Sequence, residues 1–512
     1  MRKNRKIQIA TAVLISLFIA ACGKKAQAAE AEQETEQEAE QTLPDNVIEV
    51  YEIEEAKYVD EVMPAQYTDD LSLLSDMKYA NNTYVYQDGK VYYRRYHEDS
   101  YEEAALWGNY DDIPETKKEI VCIDAEGGET VLFTDEGYGE IYLIDDRFYM
   151  LDAKICEEDG STHRERHLYS VDMQGNDRID YGNGKILVVD KERNIIIMQV
   201  YEEDNTNYYA MNYVTGEKKV ILSDLDDEDD YYSIYVSAYQ DGWLYYEKYI
   251  AGDDIISKLN AVSYEGEQRE IITLMTKFNN YSSYRETILK MEVDRDRIYL
   301  IFGGYDGNAQ EFQGGKLISV KLDGTDYKAV RTKGDTFYLC HDNERTLVYF
   351  PSHLNPVNDP CQDSDMNVWD VEADICCPSE FRQKILRAYD QQAGWMWHYY
   401  PEKKGALCGL TLYGDEIKEK EADIYALPDD SGKIVRVAMN LGDKITKREN
   451  EEVYKVKYED LYYADGFLYF TVEYNAYDKE TSIGWRDGYR RLYTDIYRLK
   501  IGEDKASLLY SY

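Results

Sequence analysis

The chain has 512 residues, with 101 acidic against 58 basic side chains, a formal net charge of −43, 52 Tyr, nine Pro and eight Cys. That length allows about three ordinary domains, or one long all-β barrel or propeller. The charge excludes a sequence-independent nucleic-acid or anionic-lipid binder, because phosphate affinity rests on Lys and Arg.

Residues 1–21 read as a secretion signal. Arg2, Lys3, Arg5 and Lys6 precede an apolar run from Ile7 to Ala21, which is too short to span a bilayer, where about 20 residues are needed. The run ends in Ile19-Ala20-Ala21-Cys22-Gly23, which resembles the lipobox of bacterial lipoproteins, with Ile where Leu is most usual. The resemblance implies that Cys22 receives a diacylglycerol, becomes the first mature residue and anchors the protein to the outer face of the bacterial cell membrane. Residues 22–46 then form a tether of Ala, Glu and Gln with almost no large apolar side chain to offset the entropy of ordering. A helical stretch is the competing reading, since all three are good helix formers. Residues 47–74 are a lead-in segment.

After residue 75 the helical period is absent, and short alternating Tyr-rich runs lie between Asp, Asn and Gly, as half-buried strands require. A polar turn followed by an apolar-aromatic run recurs. Its clearest copies are Asp88-Gly89, Asp145-Asp146, Asp241-Gly242, Asp294 to Asp296 and Asp465-Gly466, with Glu192 to Asn194, Asn343-Glu344 and Lys403 to Gly405 completing the series. Between these copies fall glycine turns at Asp124 to Gly127, Asp172 to Gly175, Tyr213 to Gly216, Tyr264 to Gly266, Asp323-Gly324, Asp390 to Gly394, Pro428 to Gly432 and Ile501-Gly502. Two hairpins per repeat are the sequence form of a four-stranded propeller blade. The chain is therefore expected to be all-β: one β-propeller over 75–512, with about eight blades, or seven if 335–450 folds as one unit. A series of β-sandwiches is the alternative, and the paired signatures argue against it.

Tyr86-Gln87-Asp88-Gly89-Lys90-Val91-Tyr92-Tyr93 and Leu317-Ile318-Ser319-Val320-Lys321-Leu322-Asp323-Gly324 resemble strings in the uncharacterised propeller domains of clostridial-type surface lipoproteins, which are distantly similar to the propeller of the Tol system. The resemblance implies a fold and carries no catalytic residue across.

No Gly-x-Ser-x-Gly elbow, His-Glu-x-x-His, P-loop or Gly-x-Gly-x-x-Gly is present. His163 and His167 are expected in a hairpin loop as a solvated pair, not as a zinc site. Beyond Cys22 seven Cys remain, an odd number. Cys122, Cys340 and Cys408 sit in apolar strand patterns as buried thiols. Cys361 has the spacing to bridge to Cys376 or Cys377, and a metal site of His353 with those three Cys is the rarer alternative.

Three insertions are expected on one face of the propeller, at 97–118, 352–383 and 474–490, holding Trp107, Trp369 and Trp485, half of the six Trp in the chain. Two readings compete for these rings: each pins its own loop, or together they line a ligand-binding surface for a glycan, peptide or protein. The acidic run Asp224, Asp226, Asp227, Asp229 and Asp230 reads as a solvated charge run, with calcium the functional alternative. No other cofactor is implied. The sequence is thus read as a non-catalytic, lipid-anchored extracytoplasmic binding protein. The alternative is an extracellular carbohydrate-active hydrolase or lyase with carboxylates at the channel mouth.

Overall fold

The computed structural model describes residues 47–511 apart from 65, 75–83, 97–117, 136, 159–160, 203–204, 226–231, 251–253, 278–284, 307–310, 333–336, 343–344, 352–365, 381–392, 401–404, 414–418, 429–430, 447, 449–452, 454 and 478–488. Their strands build seven hydrogen-bonded sheets, in which neighbours follow sequence order except for three short N-terminal strands added at the edges of three sheets. One sheet is two blades in series. The first part of Ile179–Asp190 pairs with Ser161–Asp172, and from Gly184 onward the same strand pairs with Ile195–Glu202.

Eight four-stranded blades result. Blade one is Tyr84–Gln87, Lys90–Tyr96, Lys118–Ile123 and Glu129–Asp135. Blades two and three occupy Tyr138–Ile144 through Lys218–Leu225. Blade four is Tyr232–Gln240, Trp243–Ile250, Asp254–Ser263 and Gln268–Lys277. Blade five is Arg285–Asp294, Arg297–Asp306, Glu311–Lys321 and Lys328–Thr332. Blade six is Tyr338–Asp342, Arg345–Pro351, Met366–Asp370 and Ile375–Pro378. Blade seven is Ala393–Tyr400, Gly405–Tyr413, Glu419–Pro428 and Ile434–Ala438. Blade eight is Lys455–Ala464, Phe467–Tyr477, Tyr489–Lys500 and Ser507–Ser511. The stretch 335–450 therefore holds two blades and not one.

The polar turns of the sequence join first to second strands. Asp88, Asp145, Asp241 and Asp465 each take positive φ, as tight hairpins whose twist matches the flanking strands demand. Gly324, at φ +82°, closes the last hairpin of blade five where a Cβ would collide with the Ile271 carbonyl oxygen of blade four, so only glycine fits. One turn of the series is placed differently. Gly394 lies within the first strand of blade seven, and the last hairpin of blade six turns instead through Val371 to Asp374, with Asp374 at φ 55° in glycine's usual role.

Apolar faces pack between neighbouring blades, and Tyr supplies much of that core. Tyr84, Tyr93, Tyr208, Tyr245, Tyr299, Tyr458, Tyr462, Tyr474 and Tyr497 are fully buried. The ring closes between blades one and eight without a shared strand. Tyr84 stacks on Tyr462 with ring centres 5.9 Å apart, Arg498 donates to the Asp124 carbonyl at 3.1 Å, and the Arg95 guanidinium lies 4.6 Å from the centre of the Tyr510 ring.

The lead-in segment belongs to the same compact unit, Asn46–Tyr512. It is a strap that follows the outer edges of four successive blades. Val47–Glu49 pairs in parallel with the last strand of blade four, and Ala56 N donates to Ala329 O of blade five at 2.7 Å. Lys57–Tyr58 then pairs with Ile375 and Cys376 of blade six, and Tyr67–Thr68 with Ile434 and Val435 of blade seven. Ile48, Val50 and Ile53 enter the core between blades four and five, and Leu74 enters the one shared by blades seven, eight and one.

Glu247 joins blade four to blade five from a fully buried position. Its carboxylate accepts from Ser257 Oγ at 2.5 Å, Thr287 Oγ1 at 2.9 Å and Ile288 N at 3.3 Å. Burial pushes its carboxyl above the usual range and outweighs these hydrogen bonds, which pull it down. A raised folded-state value means that the native state holds the proton more tightly. The contribution to stability is thus complete below the ordinary carboxylate range and is lost as pH rises through the raised value. Glu247→Gln should flatten the rise of the denaturation midpoint on moving from neutral to mildly acidic pH, and a pH profile unchanged from wild type would contradict this.

Candidate recognition face

Because each blade is antiparallel, its 2–3 connection and its connection to the next blade leave from the same end of the sheet. The opposite end carries the tight turns. The connections 97–117, 352–365 and 478–488 all join second to third strands, and 379–392 and 439–454 join one blade to the next. All the long connections therefore leave from one face. The insertions are narrower than the sequence suggested. Blade six inserts 352–365, since Met366–Asp370 and Ile375–Pro378 are strands, and blade eight inserts 478–488, since Phe467–Tyr477 extends its second strand.

The roots of these insertions are paired strand ends: Tyr96 with Lys118, Pro351 with Met366, and Tyr477 with Tyr489. Below the blade-one insertion, Arg95 binds Glu119 at 2.6 Å and Glu129 at 3.2 Å, and Tyr93 OH donates to Glu129 at 2.8 Å. The same guanidinium covers Tyr510 in the outer strand of blade eight, so the root in blade one is tied to blade eight. In blade eight Asp495, 1% exposed, accepts two hydrogen bonds from Arg448 Nε, both at 3.1 Å, and one from Nη2 at 2.9 Å. Tyr497 OH donates to Thr446 O at 2.9 Å, so 439–454 is held at two points. Between blades one and two, Asp135 accepts from Arg94 Nε at 2.7 Å, Tyr169 OH at 2.6 Å and Gly137 N at 2.9 Å. Nothing in the sequence marks these residues, since Arg and Asp are spread throughout and only the ring brings them together.

Of the candidate ligand-binding rings, Trp369 is not on a loop. It lies in the third strand of blade six, fully buried among Tyr299, Leu317, Phe350 and Ala56, with Nε1 donating to Asp374 Oδ1 at 3.3 Å. The apparent insertion was a hairpin whose turn lacks glycine. Trp107, Trp485, Cys22, Cys361, His353, Asp226, Asp227, Asp229 and Asp230 lie outside the described residues. Asp224 ends up in the last strand of blade three, paired with Thr206. Cys376 and Cys377 are buried free thiols, and burial pushes Cys376 up to about 12, far from a reactive thiolate. Cys122 and Cys340 are buried as the strand pattern suggested. His163 and His167 fall in the strand Ser161–Asp172 rather than in a loop, with His167 Nδ1 3.6 Å from Asp180 Oδ2. Among the described residues no group of three or more His, Cys, Asp or Glu is placed to hold a metal ion, and no helix is long and apolar enough to cross a membrane.

No protein-family model matches the chain, and no curated protein matches it. Solved structures that share its general form include a prolyl endopeptidase, at 13% identity and a TM-score of 0.41 over 77% of this chain and 54% of that one. The chain thus spans about half the length of that peptidase. The β-propeller domain of the Trilobed protease from Pyrococcus furiosus matches at 14% identity and a TM-score of 0.37, over 73% of this chain and 98% of that one. Oligogalacturonate lyase from Vibrio parahaemolyticus matches at 10% identity and a TM-score of 0.34, over 81% and 84%. The eight consecutive four-stranded blades, built from seven hydrogen-bonded sheets and closed into a ring, make this chain an all-β propeller.

Proposed function

We propose that the protein is a lipid-anchored, extracytoplasmic propeller that binds a glycan, peptide or protein through its insertion-bearing face. The observation that carries this reading is the asymmetry of the connections: two-residue hairpins join the first and second strands of blades one, four and eight, and the longest connections all leave from the other end. Recognition residues concentrate on loops that a rigid scaffold positions, and the contact of Arg95 with Tyr510, which ties the blade-one root to blade eight, contributes to such a scaffold. Supporting the anchor are the basic and apolar start, the lipobox-like Ile19-Ala20-Ala21-Cys22 and the strand strings that resemble surface-lipoprotein propellers.

The test is a glycan and peptide array probed with the soluble fragment from residue 47 onward. Trp107→Ala and Trp485→Ala should each weaken the binding found, by about 2 kcal/mol for a hot spot. They should also couple in a double-mutant cycle, because blades one and eight are neighbours. Strict additivity with unchanged affinity would mean that the rings only pin their loops. In a separate experiment, Cys22→Ala should move the protein from the detergent-soluble membrane fraction to the medium or to an uncleaved form. A variant cleaved and retained like the original would remove the anchor from the proposal.

A further inference from the structure

Blades three and four do not pack along their whole facing surfaces. Ile195, Ile197, Tyr208, Leu244, Tyr246 and Val262 close the apolar part of the interface, and beside it lies a cleft of about 550 Å³. One wall is Val220 to Ser223 of blade three, and the other is built from all four strands of blade four. Strand alternation explains why the cleft is there. Along the second strand of blade four, Leu244, Tyr246 and Lys248 share one face, and Val262, Asn260 and Lys258 oppose them in register on the third. The corresponding series in blade five is Ile298, Leu300 and Phe302 opposite Val320, Ile318 and Lys316. Phe302 and Ile318 are fully buried, whereas blade four has Lys248 and Asn260 at their places. Two substitutions of apolar by polar side chains thus hold open a space that its neighbour fills.

The chemistry of that space is specific. Lys248 and Lys258 are directly opposed across the strand pair, an arrangement that disfavours the bare sheet. Both lysines line the cleft together with Glu270, whose carboxylate lies 3.7 Å from Lys258 Nζ. Asn260, Gln268 and Ser223 add hydrogen-bonding groups, and Tyr246 and Ile221 add an apolar surface. A bare inorganic anion is far smaller than this volume, which falls within the range of small-molecule sites.

We propose that the cleft between blades three and four is a binding site for an anionic sugar, whose carboxylate lies between Lys248 and Lys258 and whose hydroxyls meet Asn260, Gln268 and Ser223. This site is on the flank of the ring and does not depend on the recognition face proposed above.

Titration of the full chain with D-glucuronate, D-glucose, acetate and inorganic phosphate tests it by calorimetry or ligand-observed NMR. Glucuronate should bind more tightly than any of the other three, and more weakly as salt rises. Lys248→Gln and Lys258→Gln should each cost tenfold or more in affinity. Asn260→Ile, which restores the residue type of blade five, should remove the preference for glucuronate over acetate. The melting temperature of each Lys variant is measured alongside, so that lost binding is read on folded protein. Trp107→Ala and Trp485→Ala should leave glucuronate binding unchanged, which separates this site from the insertion-bearing face. The proposal is overturned if glucuronate does not bind, if phosphate or acetate binds as tightly, or if the Lys variants keep wild-type affinity.

Discussion

Replacing Trp369 by Ala is expected to destabilise the propeller by about 3–5 kcal/mol, the usual range for deleting a fully buried Trp, and to leave ligand affinity unchanged. The ring fills the interface of blades five and six against Tyr299, Ile301, Leu317, Val348 and Phe350, with Ala56 of the strap over it. Among the described residues these two blades share no strand of their own, and apart from the strap, which bonds to the outer edge of each, their contact depends on side chains of this kind. Removing the indole also withdraws the donor that Asp374 accepts, in the turn where Asp374 itself holds positive φ. Trp369→Phe should cost less, because most of the volume stays while the hydrogen bond goes. Denaturant midpoints for the two variants check the order. A Trp369→Ala protein with wild-type stability and lost binding would return this residue to the recognition surface.

Removal of the strap should have the largest effect of all. A chain that starts at residue 75 keeps every strand of the eight blades, but loses Ile48, Val50 and Ile53 from the core of blades four and five and Leu74 from that of blades seven, eight and one. At about 1.5–3 kcal/mol for each such side chain, the loss is comparable with the ~5–15 kcal/mol that keeps an ordinary domain folded. It also takes away the Ile53 carbonyl that Lys316, itself buried, donates to at 2.7 Å. The outer edges of blades four, six and seven, paired by the strap in wild type, become open templates for aggregation. The expected result is an aggregation-prone chain without a single sharp unfolding transition, in contrast to one starting at residue 47. Circular-dichroism melting with light scattering distinguishes the two. Equal behaviour would mean that the strap is only draped on the ring.

The contrast between these two features and the blades themselves has a physical basis. Asp88-Gly89, Asp241-Gly242 and Asp465-Gly466 announce their hairpins because positive φ is a local requirement that few residue types meet. The Tyr-rich runs after them announce half-buried strands because alternation is also local. From these cues alone the repeat, the all-β class and the near-eightfold count follow, and the side of the ring that carries the insertions follows from strand order. The blade-six hairpin escapes because Asp374 does glycine's work, so Trp369 looked like part of a loop. The strap escapes because segments as short as Lys57–Tyr58 have no period, and their partners, such as Cys376, lie hundreds of residues away in the chain. Pairing at that separation is chosen by the closed ring, which sets four outer edges in a row. The same holds for Lys248 opposite Lys258: both lysines are plain in the sequence, but only the meeting of blades three and four makes a cleft of them.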